Sequence, residues 1–393
     1  MVAKILSINS GSSSLKFKLY LMPAEVVVAS GQVERIGQAK AHFTMKTEAG
    51  KVDEDVQAKS HDQAVSLVID QLLAHQVIKE MTEISGVGHR ISNGGAYYSQ
   101  AVVIDELVEQ RIDELSALSP LHNPVNLLGI RAFKKLLPQA MQVAVFDTAF
   151  NATIPQANAL YAIPYDYYEK YGIRKYGFHG PSHQYITEQV QERFPTMSHK
   201  IISCHLGSGA SISAIKDGQT IDNSMGFTPL AGLMMGTRSG DLDPQILPFL
   251  QEHEGLDIQE IKNLLNAKSG LLGISGYSND IRDLEKAQKE GHQRAALALA
   301  MFIHRIQTYI GAYAAELNGV ETIVFTAGIG EHDSYIRSKI MQQFAYLGVR
   351  IDETQNQANE LVISQRDSAI NVLVIPTDEE IVIARDTYQH FSH

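Results

Sequence analysis

The sequence predicts an α/β protein built from two similar domains, and three observations support this fold class. A chain of 393 residues exceeds the size of one comfortable hydrophobic core, so two domains are expected. The segment ILSINSGSSSLKFKLY, from Ile5, resembles IISCHLGSGASISAI, from Ile201, half a chain later. Helical and strand patterns alternate after each copy, which is typical of helices that cover a mixed sheet.

Each copy of the repeat predicts a buried strand, a Gly/Ser turn and a second strand with alternating faces. The two turns share a glycine followed by a serine, at Gly11-Ser12 and Gly207-Ser208. A third β-rich segment follows each copy, from Glu25 to Arg35 and from Gln219 to Asp222. We therefore expect two domains that each begin with a three-stranded meander. Two unrelated β-hairpins are the weaker alternative, because they would not explain the shared turn residues.

The sequence between about residues 295 and 335 predicts a long helix followed by a strand. Apolar residues recur at helical spacing, and Asn318-Gly319 supplies a stop signal. A strand over Thr322 to Phe325, a glycine turn over Ala327 to Gly330 and a helix capped by Asp333 or Ser334 come next. The apolar positions of the long helix are Ala298, Phe302, Ile306, Tyr309 and Tyr313.

Polar or glycine residues follow the apolar part of six predicted strands. Because open α/β sheets bind ligands at the carboxyl ends of their strands, we expect these six ends to meet at one cleft. The first domain is expected to comprise residues 1–150 and 379–393, and the second residues 151–378. The residues at the strand ends are Asn9, His89-Arg90, Asp147, His205, the turn at Gly328, and Glu379.

Composition excludes several classes of partner. The formal charge of −11 disfavours nucleic acid and anionic membrane surfaces, which require a surplus of Lys and Arg.

Cys204 is the only cysteine, so no internal disulfide can form, and its apolar neighbours predict a buried residue. Polar residues from Asn9 onward leave no room for a signal sequence, and the longest apolar run, Ala295 to Ile303, is too short to span a membrane. We expect a cytoplasmic protein.

The two Gly/Ser turns are candidates for binding phosphate through backbone N–H groups. The first turn carries Ser12 and is followed by Lys16, and the second is Gly207–Gly209. Neither is a Walker A motif, and a Gly/Ser turn on its own is usually only a turn. The segment Ala327–Glu331 lacks the full dinucleotide fingerprint. It could support a nucleotide base, or it could be a tight turn between a strand and a helix.

Several charged residues have the chemistry that phosphoryl transfer requires. Arg90 and Arg238 lie among small residues, and planar guanidinium groups suit carboxylate and phosphate oxygens. Surface ion pairs are the ordinary alternative for both arginines. Asn9, Asp147 and Glu379 offer oxygen ligands for Mg²⁺ bound with ATP, with Mn²⁺ as a second possibility.

His122 and His179 lie in Pro- and Gly-rich loops rather than on apolar faces. Phosphoryl transfer is catalysed mainly by positioning and charge neutralisation. Mg²⁺, two arginines and a histidine would therefore be sufficient to catalyse phosphoryl transfer. A structural role is the alternative for either histidine.

Nine motifs of this chain resemble the acetate kinase family, in family order and across nearly the whole length. They are INSGSSSLKF, GHRISNGG, PLHNP, VFDTAF, YGFHG, CHLGSGASISAI, SMGFTPLAGLMMGTRSGDLDP, SGLLGISG and FTAGIGE. The resemblance implies the acetate and sugar kinase/Hsp70/actin superfamily fold, with two ribonuclease-H-like domains. It also implies a homodimer that transfers the γ-phosphoryl group of ATP reversibly to acetate, or to another short-chain carboxylate such as propionate.

The resemblance assigns a role to each matching position. Asn9 and Glu379 would bind Mg²⁺, and Arg90 the acid. His179 and Arg238 would stabilise the transition state, with His122 assisting. Asp147 carries the family's proton donor or acceptor label, although a small carboxylic acid is already ionised at neutral pH. We therefore expect Asp147 to orient an arginine or to act on Mg²⁺ through water.

The remaining assignments concern the nucleotide and the acyl group. The acyl pocket would be lined by Ser92, Leu121, Phe178 and Pro229. ATP and ADP would be held by Ser12, Lys16, His205, Leu206, Gly207, Ser208, Gly209, Asp280, Ile281, Arg282, Gly328, Ile329, Gly330, Glu331 and His332.

Four positions depart from the family pattern, at Ser208, His332, Asp378 and Ser92-Asn93. Ser92 bears on the choice of acid, because the resemblance places it where well-known acetate kinases have Val and some propionate kinases have Ala. Two rival functions share the superfamily fold. An Hsp70- or actin-like machine would need a client-binding domain, for which the fourteen residues after Glu379 leave no room, or a polymer interface. A sugar or glycerol kinase would need a base to activate a hydroxyl.

Overall fold

The computed structural model describes residues 2–391, and Met1, Ser392 and His393 of the predicted first domain lie outside them. The first group of strands is β1 (Ala3–Ser10), β2 (Ser14–Met22), β3 (Val26–Glu34), β4 (Ala41–Thr47), β5 (Gly50–Val56), β6 (Ile84–Ile91), β7 (Val102–Val103) and β8 (Met141–Phe146). The second is β9 (Lys200–Leu206), β10 (Ala210–Lys216), β11 (Gln219–Asn223), β12 (Thr322–Thr326) and β13 (Asn371–Val374).

The helices are numbered in the same way. The first eight are α1 (His61–Ala74), α2 (Glu106–Glu114), α3 (Asn123–Leu136), α4 (Gln156–Ala159), α5 (Asp166–Tyr171), α6 (Gly180–Arg193), α7 (Ile246–Glu254) and α8 (Ile258–Ala267). The others are α9 (Gly270–Ser275), α10 (Ile281–Lys289), α11 (Gln293–Glu316), α12 (Ala327–His332), α13 (Ser334–Gln342), α14 (Glu353–Gln357) and α15 (Glu379–Gln389). None of those described is both long and apolar enough to cross a membrane.

The chain divides into two compact units. Unit 1 contains the described residues up to Ala152, Gly180–Ser182 and those from Asp378 onward. Unit 2 contains Thr153–His179 and His183–Thr377. Each unit has its own sheet and its own hydrophobic core.

The sheet of unit 1 has the strand order β5-β4-β3-β2-β1-β6-β8-β7. Strands β1 to β5 form an antiparallel meander, whereas β1, β6 and β8 run parallel. The predicted strand at Glu25 to Arg35 is confirmed as β3. Parallel pairing brings the carboxyl ends of β1, β6 and β8 to one edge, which is where Asn9, Arg90 and Asp147 lie.

The sheet of unit 2 has the order β11-β10-β9-β12-β13, in which β9, β12 and β13 run parallel. The predicted long helix is confirmed as α11, and four of its five predicted apolar positions are buried, Tyr309 being partly buried. Past its end, Asn318 and Gly319 both have positive φ angles, of 51° and 103°. Left-handed backbone of this kind ends a helix and suits Asn and Gly best.

The internal repeat is confirmed as two hairpins with three-residue loops. Gly11–Ser13 join β1 to β2, and Gly207–Gly209 join β9 to β10. The expectation that Asn9, His89-Arg90 and His205 follow their strands was wrong, because pairing extends β1 to Ser10, β6 to Ile91 and β9 to Leu206. All of these residues lie within strands.

Two further local expectations were tested. The predicted glycine turn after β12 was wrong, because α12 begins at Ala327 itself. The chain turns there through a single left-handed residue, Ala327, whose φ is 64°. Asp333 caps α13 by accepting a hydrogen bond from Ile336 N, as predicted. Cys204 is fully buried, also as predicted, and burial raises the pKa of its thiol.

Candidate active site

In unit 1, an arginine and a carboxylate form a paired fork where β6 and β8 end. Arg90 donates from Nε to Asp147 Oδ1 and from Nη2 to Asp147 Oδ2, each at 2.7 Å. The neighbouring His89 faces the opposite side of the strand, where its Nε2 lies 2.8 Å from Gln142 Oε1 and burial lowers its pKa to about 4. Strand alternation thus sends Arg90 to the site and His89 to the interior.

Glu379, the first residue of α15, lies beside this pair. Its Oε2 is 3.8 Å from Arg90 Nη1. Burial raises the pKa of Glu379, and the charge of Asp147 raises it further, while Arg90 lowers it. Burial opposes charge on Arg90 too, but Asp147 and Glu379 outweigh this and raise its pKa. Two carboxylates thus share one guanidinium, so one negative charge would be unbalanced if both were ionised.

Asn9 and Lys16 lie directly opposite each other on β1 and β2. The adjoining α15 is fixed to this strand, because Ser7 Oγ donates to Glu380 O at 2.7 Å. Ser12 is exposed at the tip of the hairpin loop. The predicted metal and phosphate residues of unit 1 therefore belong to one sheet edge and the helix packed on it.

The predicted acyl-pocket residues of unit 1 lie in two segments, Ser92 directly after β6 and Leu121 shortly before α3. Ser92 is partly buried, and its hydroxyl accepts a hydrogen bond from Ser119 Oγ at 3.1 Å. Leu121 is 66% exposed, and His122 is the residue that precedes α3. In unit 1 the predicted acyl-pocket residues are therefore a hydrogen-bonded serine and an exposed leucine.

In unit 2, two histidines and an arginine surround the β9–β10 hairpin loop. Gly209 has no side chain, and the position that a Cβ would occupy there locates the space beside it. That position is 3.6 Å from His179 Nε2 and 3.7 Å from both terminal nitrogens of Arg238. The rings of His179 and His205 stack with centroids 4.1 Å apart. The loop backbone and two side chains that can donate hydrogen bonds therefore converge on one small space.

Arg238 is positioned by a hydrogen bond from Nη1 to Pro229 O at 3.0 Å. Burial lowers the pKa of its guanidinium, although arginine remains charged in proteins. A desolvated cation of this kind interacts strongly with an anion placed beside it. Phe178, a predicted acyl-pocket residue, belongs to the hydrophobic core of unit 2 and is 2% exposed.

A cavity of about 480 Å³ lies in unit 2 beside the same loop. This volume is in the range of small-molecule sites. Two of its lining residues pair with each other, Arg282 Nη2 lying 2.6 Å from Asp280 Oδ2. The lining residues are Gly207, Ser208, Asn279, Asp280, Ile281, Arg282, Gly328, Ile329, His332 and Asp333.

The predicted nucleotide residues of unit 2 that do not line the cavity are His205, Leu206, Gly209, Gly330 and Glu331. Glu331 Oε1 accepts hydrogen bonds from Ala327 N at 2.8 Å and from Thr377 N at 3.1 Å, so it fixes the start of α12. Leu206 and Gly330 are buried. Glu331, Leu206 and Gly330 support the backbone that lines the cavity.

Comparison with known proteins identifies the family. The family model described as "Acetokinase family" matches residues 4–385. The chain belongs to the acetokinase family. Acetate kinase from Geobacillus kaustophilus is 51% identical over 389 residues, and acetate kinase from Bacillus subtilis is 49% identical over 389, each match covering 98% of both chains.

Solved structures agree with this assignment. The acetate kinase of Porphyromonas gingivalis has a TM-score of 0.93 at 44% identity, covering 99% of this chain and 100% of that one. A propionate kinase from Francisella tularensis has a TM-score of 0.94 at 40% identity, covering 98% and 99%. The chain therefore has the two-domain fold of the acetate and sugar kinase/Hsp70/actin superfamily, and it is a member of a family of phosphotransferases with a carboxyl acceptor.

Proposed function

We propose that this protein transfers the γ-phosphoryl group of ATP to acetate, giving acetyl phosphate and ADP, and that the reaction is reversible. The observation that carries the proposal is the convergence of His179 and Arg238 on Gly209 in the β9–β10 hairpin loop, beside a cavity of about 480 Å³. The same chain holds Arg90 as a fork for a carboxylate. Family membership agrees with this acceptor, and we propose that the two compact units are its two domains.

The acid substrate is bound by Arg90 through Nη1 and the second N–H of Nη2, the guanidinium edge that Asp147 does not occupy. Its free oxygen attacks phosphorus and needs no base, because a carboxylic acid is ionised at neutral pH. Arg238 and His179 donate hydrogen bonds to the phosphoryl oxygens as charge shifts between the attacking and leaving groups, with His122 assisting. The cavity beside Ser208 holds the rest of the nucleotide.

The residues at the edge of unit 1 fit a magnesium ion. Within residues 2–391, no group of three or more His, Cys, Asp or Glu side chains is arranged to hold a metal alone. Magnesium bound with a nucleotide needs only one or two protein ligands, since phosphates and waters supply the others. Glu379 and Asn9 would be those ligands, and Mn²⁺ would suit the same oxygens. When bound, the ion neutralises phosphate charge.

We further propose that Asp147 acts through Arg90 and is not a base. The change Asp147→Asn is expected to lower kcat/KM for acetate by about 10- to 100-fold, as for other orienting partners of site residues. The reduction should be uniform between about pH 6 and pH 9, where the acid is ionised. The measurement is the pH profile of kcat/KM for both proteins.

A double variant provides the control for this role. Once Arg90 is alanine, Asp147→Asn should have little additional effect on activity, because interacting residues are not additive. If the loss of activity in Arg90→Ala/Asp147→Asn equalled the product of the losses in the two single variants, Asp147 would act independently of Arg90.

Ser92 is proposed to set the acid preference. Serine has a smaller side chain than valine, so the wall at this position leaves space for one more methylene, which is worth about 10- to 200-fold in a hydrophobic pocket. We expect kcat/KM for propionate within about tenfold of that for acetate. Ser92→Val should widen the gap in favour of acetate.

The measurement is kcat/KM for both acids on both proteins. Ser92→Val also removes the acceptor of the buried Ser119 hydroxyl, so Ser119→Ala is the matched control. That control should leave the ratio of the two acids unchanged. Two results would show that Ser92 does not shape the acyl pocket. One is a ratio of kcat/KM for the two acids that Ser92→Val leaves unchanged, and the other is a wild type that already rejects propionate a hundredfold.

We also propose a cytoplasmic homodimer whose product feeds acetyl-CoA biosynthesis. Support for self-association comes from unit 2, where large apolar side chains are exposed within a short segment. They are Tyr161, Ile163, Tyr165, Tyr167 and Tyr171. Contiguous exposed apolar patches mark interaction surfaces.

Trapping with hydroxylamine tests the proposed function against its rivals. The protein is incubated with ATP, Mg²⁺, acetate and hydroxylamine, and the hydroxamate is measured. Only an acyl phosphate gives hydroxamate. A sugar kinase or an ATP-driven conformational machine would release ADP without it, and that result would overturn the proposal.

A further inference from the structure

A buried row of imidazoles and hydroxyls stands behind His179 in unit 2. His179 Nδ1 lies 2.9 Å from Ser211 Oγ, and the same hydroxyl lies 2.8 Å from His183 Nε2. His183 Nδ1 lies 2.9 Å from Ser203 Oγ. His183, Ser203 and Ser211 are 0% exposed. The ring of His179 is therefore connected to three side chains that are shielded from solvent.

The strands and the helix place these groups by simple geometry. Ser203 lies on β9 and Ser211 on the adjacent β10, and His183 projects from the first turn of α6 between them. Burial and the nearby His205 lower the pKa of His183 well below its ordinary value. His183 is therefore neutral, with one nitrogen that donates and one that accepts.

The row can be hydrogen-bonded in two directions; in a third arrangement both imidazoles would donate to Ser211, whose buried proton would then have no acceptor in the described part of the chain. In the first, Ser203 donates to His183 Nδ1, His183 Nε2–H donates to Ser211, and Ser211 donates to His179 Nδ1. In the second, every donor and acceptor is exchanged. The hydroxyl of Ser203 has no second partner within residues 2–391. The second direction would therefore leave the buried Ser203 proton without a protein acceptor, which is unfavourable.

We propose that Ser211 is a positioning residue that holds His179 in the tautomer with its proton on Nε2. The proposal rests on the proposed function, because Nε2 is the atom that lies near Gly209 and Arg238. In this tautomer His179 donates to a phosphoryl oxygen without being charged. In the other tautomer, with the proton on Nδ1, the lone pair of Nε2 would face the phosphoryl oxygen and repel it.

The tautomer can be measured directly. In ¹⁵N-histidine-labelled protein at about pH 8, where histidine is ordinarily neutral, the protonated and bare ring nitrogens have well-separated ¹⁵N shifts. The His179 signals are assigned by their loss in His179→Gln. We expect Nε2–H in the wild type and a mixture of tautomers in Ser211→Ala, with a smaller change in Ser203→Ala. The proposal would be overturned if the His179 proton lay on Nδ1 in the wild type, or if the His179 tautomer were unchanged in Ser211→Ala.

Kinetics provide the second readout. Ser211→Ala is expected to lower kcat by about 10- to 100-fold, as orienting partners commonly do, with little change in the KM of ATP or acetate. Ser211→Thr keeps the hydroxyl and should retain more activity than Ser211→Ala. If Ser211 only filled space, the added methyl would make the threonine variant the worse of the two.

Thr220→Val is the matched control. Thr220 is also fully buried on a neighbouring strand of this sheet, and its hydroxyl has no partner among the described residues. Removing that hydroxyl should leave kcat and the His179 tautomer unchanged. If the wild type gave no hydroxamate, the proposed function would fail, whereas the tautomer measurement would still decide the role of Ser211.

Discussion

Replacing Arg238 with alanine is expected to lower kcat by about 10²- to 10³-fold, with little change in the affinity for ATP. The guanidinium lies at the Gly209 loop, and burial leaves its charge poorly solvated. Its interaction with the phosphoryl group should therefore strengthen as charge shifts toward the transition state. An interaction of that kind raises kcat rather than ground-state binding.

The measurements for Arg238 are kcat by initial rates and the Kd of ATP by calorimetry. Arg238→Lys keeps a charge but loses the planar fork, and should recover only part of the rate. Arg350→Ala is the control, since Arg350 is an exposed arginine paired with Asp367. A near-normal kcat in Arg238→Ala, or a loss of ATP affinity equal to the loss of rate, would contradict the assigned role.

Arg90→Ala is expected to lower kcat/KM for acetate by about 10³-fold, because the acid loses its bidentate partner. It should also destabilise unit 1 by about 3 to 5 kcal/mol, the usual cost of removing one partner of a buried pair. Asp147 would be left buried without its partner, close to the carboxylate of Glu379. Acetate kinetics and urea unfolding measure the two effects.

Stability and activity can be separated for Arg90. In Arg90→Ala/Asp147→Asn the buried charge of Asp147 is gone and only the carboxylate of Glu379 lacks its cation, so much of the lost stability should return while activity stays low. Recovery of activity together with stability would mean that Arg90 is structural and does not bind the acid.

The sequence predicted most of the fold because its signals are local. The two hairpins are visible as a repeat, and α11 is visible as a helical period that ends at Asn318-Gly319. Strand ends were predicted less well, since hydrogen-bonded pairing between strands, rather than apolar content, decides how far β1 and β9 extend. The start of α12 depends on the left-handed Ala327, which no sequence rule favours.

The candidate site shows the same division. Residue types and motif order predicted Arg90, Asp147 and Arg238. Orientation of an arginine by Asp147 was one of two expectations, but the sequence did not show that the arginine is Arg90, 57 residues away, or that the pair is bidentate. Ser211 and His183 carried no signal. Ser211 occupies one of several small alternating positions in β10, and His183 follows a Gly-Pro helix start like any polar residue. Only the packed structure places them behind His179.

Phosphorus NMR with isotopically labelled acetate tests the central claim, that a carboxylate oxygen attacks the γ-phosphorus of ATP. The protein is given ATP, Mg²⁺ and acetate with both oxygens replaced by ¹⁸O, and the ³¹P spectrum is recorded. The account predicts an acetyl phosphate signal with the upfield isotope shift of one ¹⁸O bonded to phosphorus. ADP with unlabelled inorganic phosphate and no acetyl phosphate would contradict it.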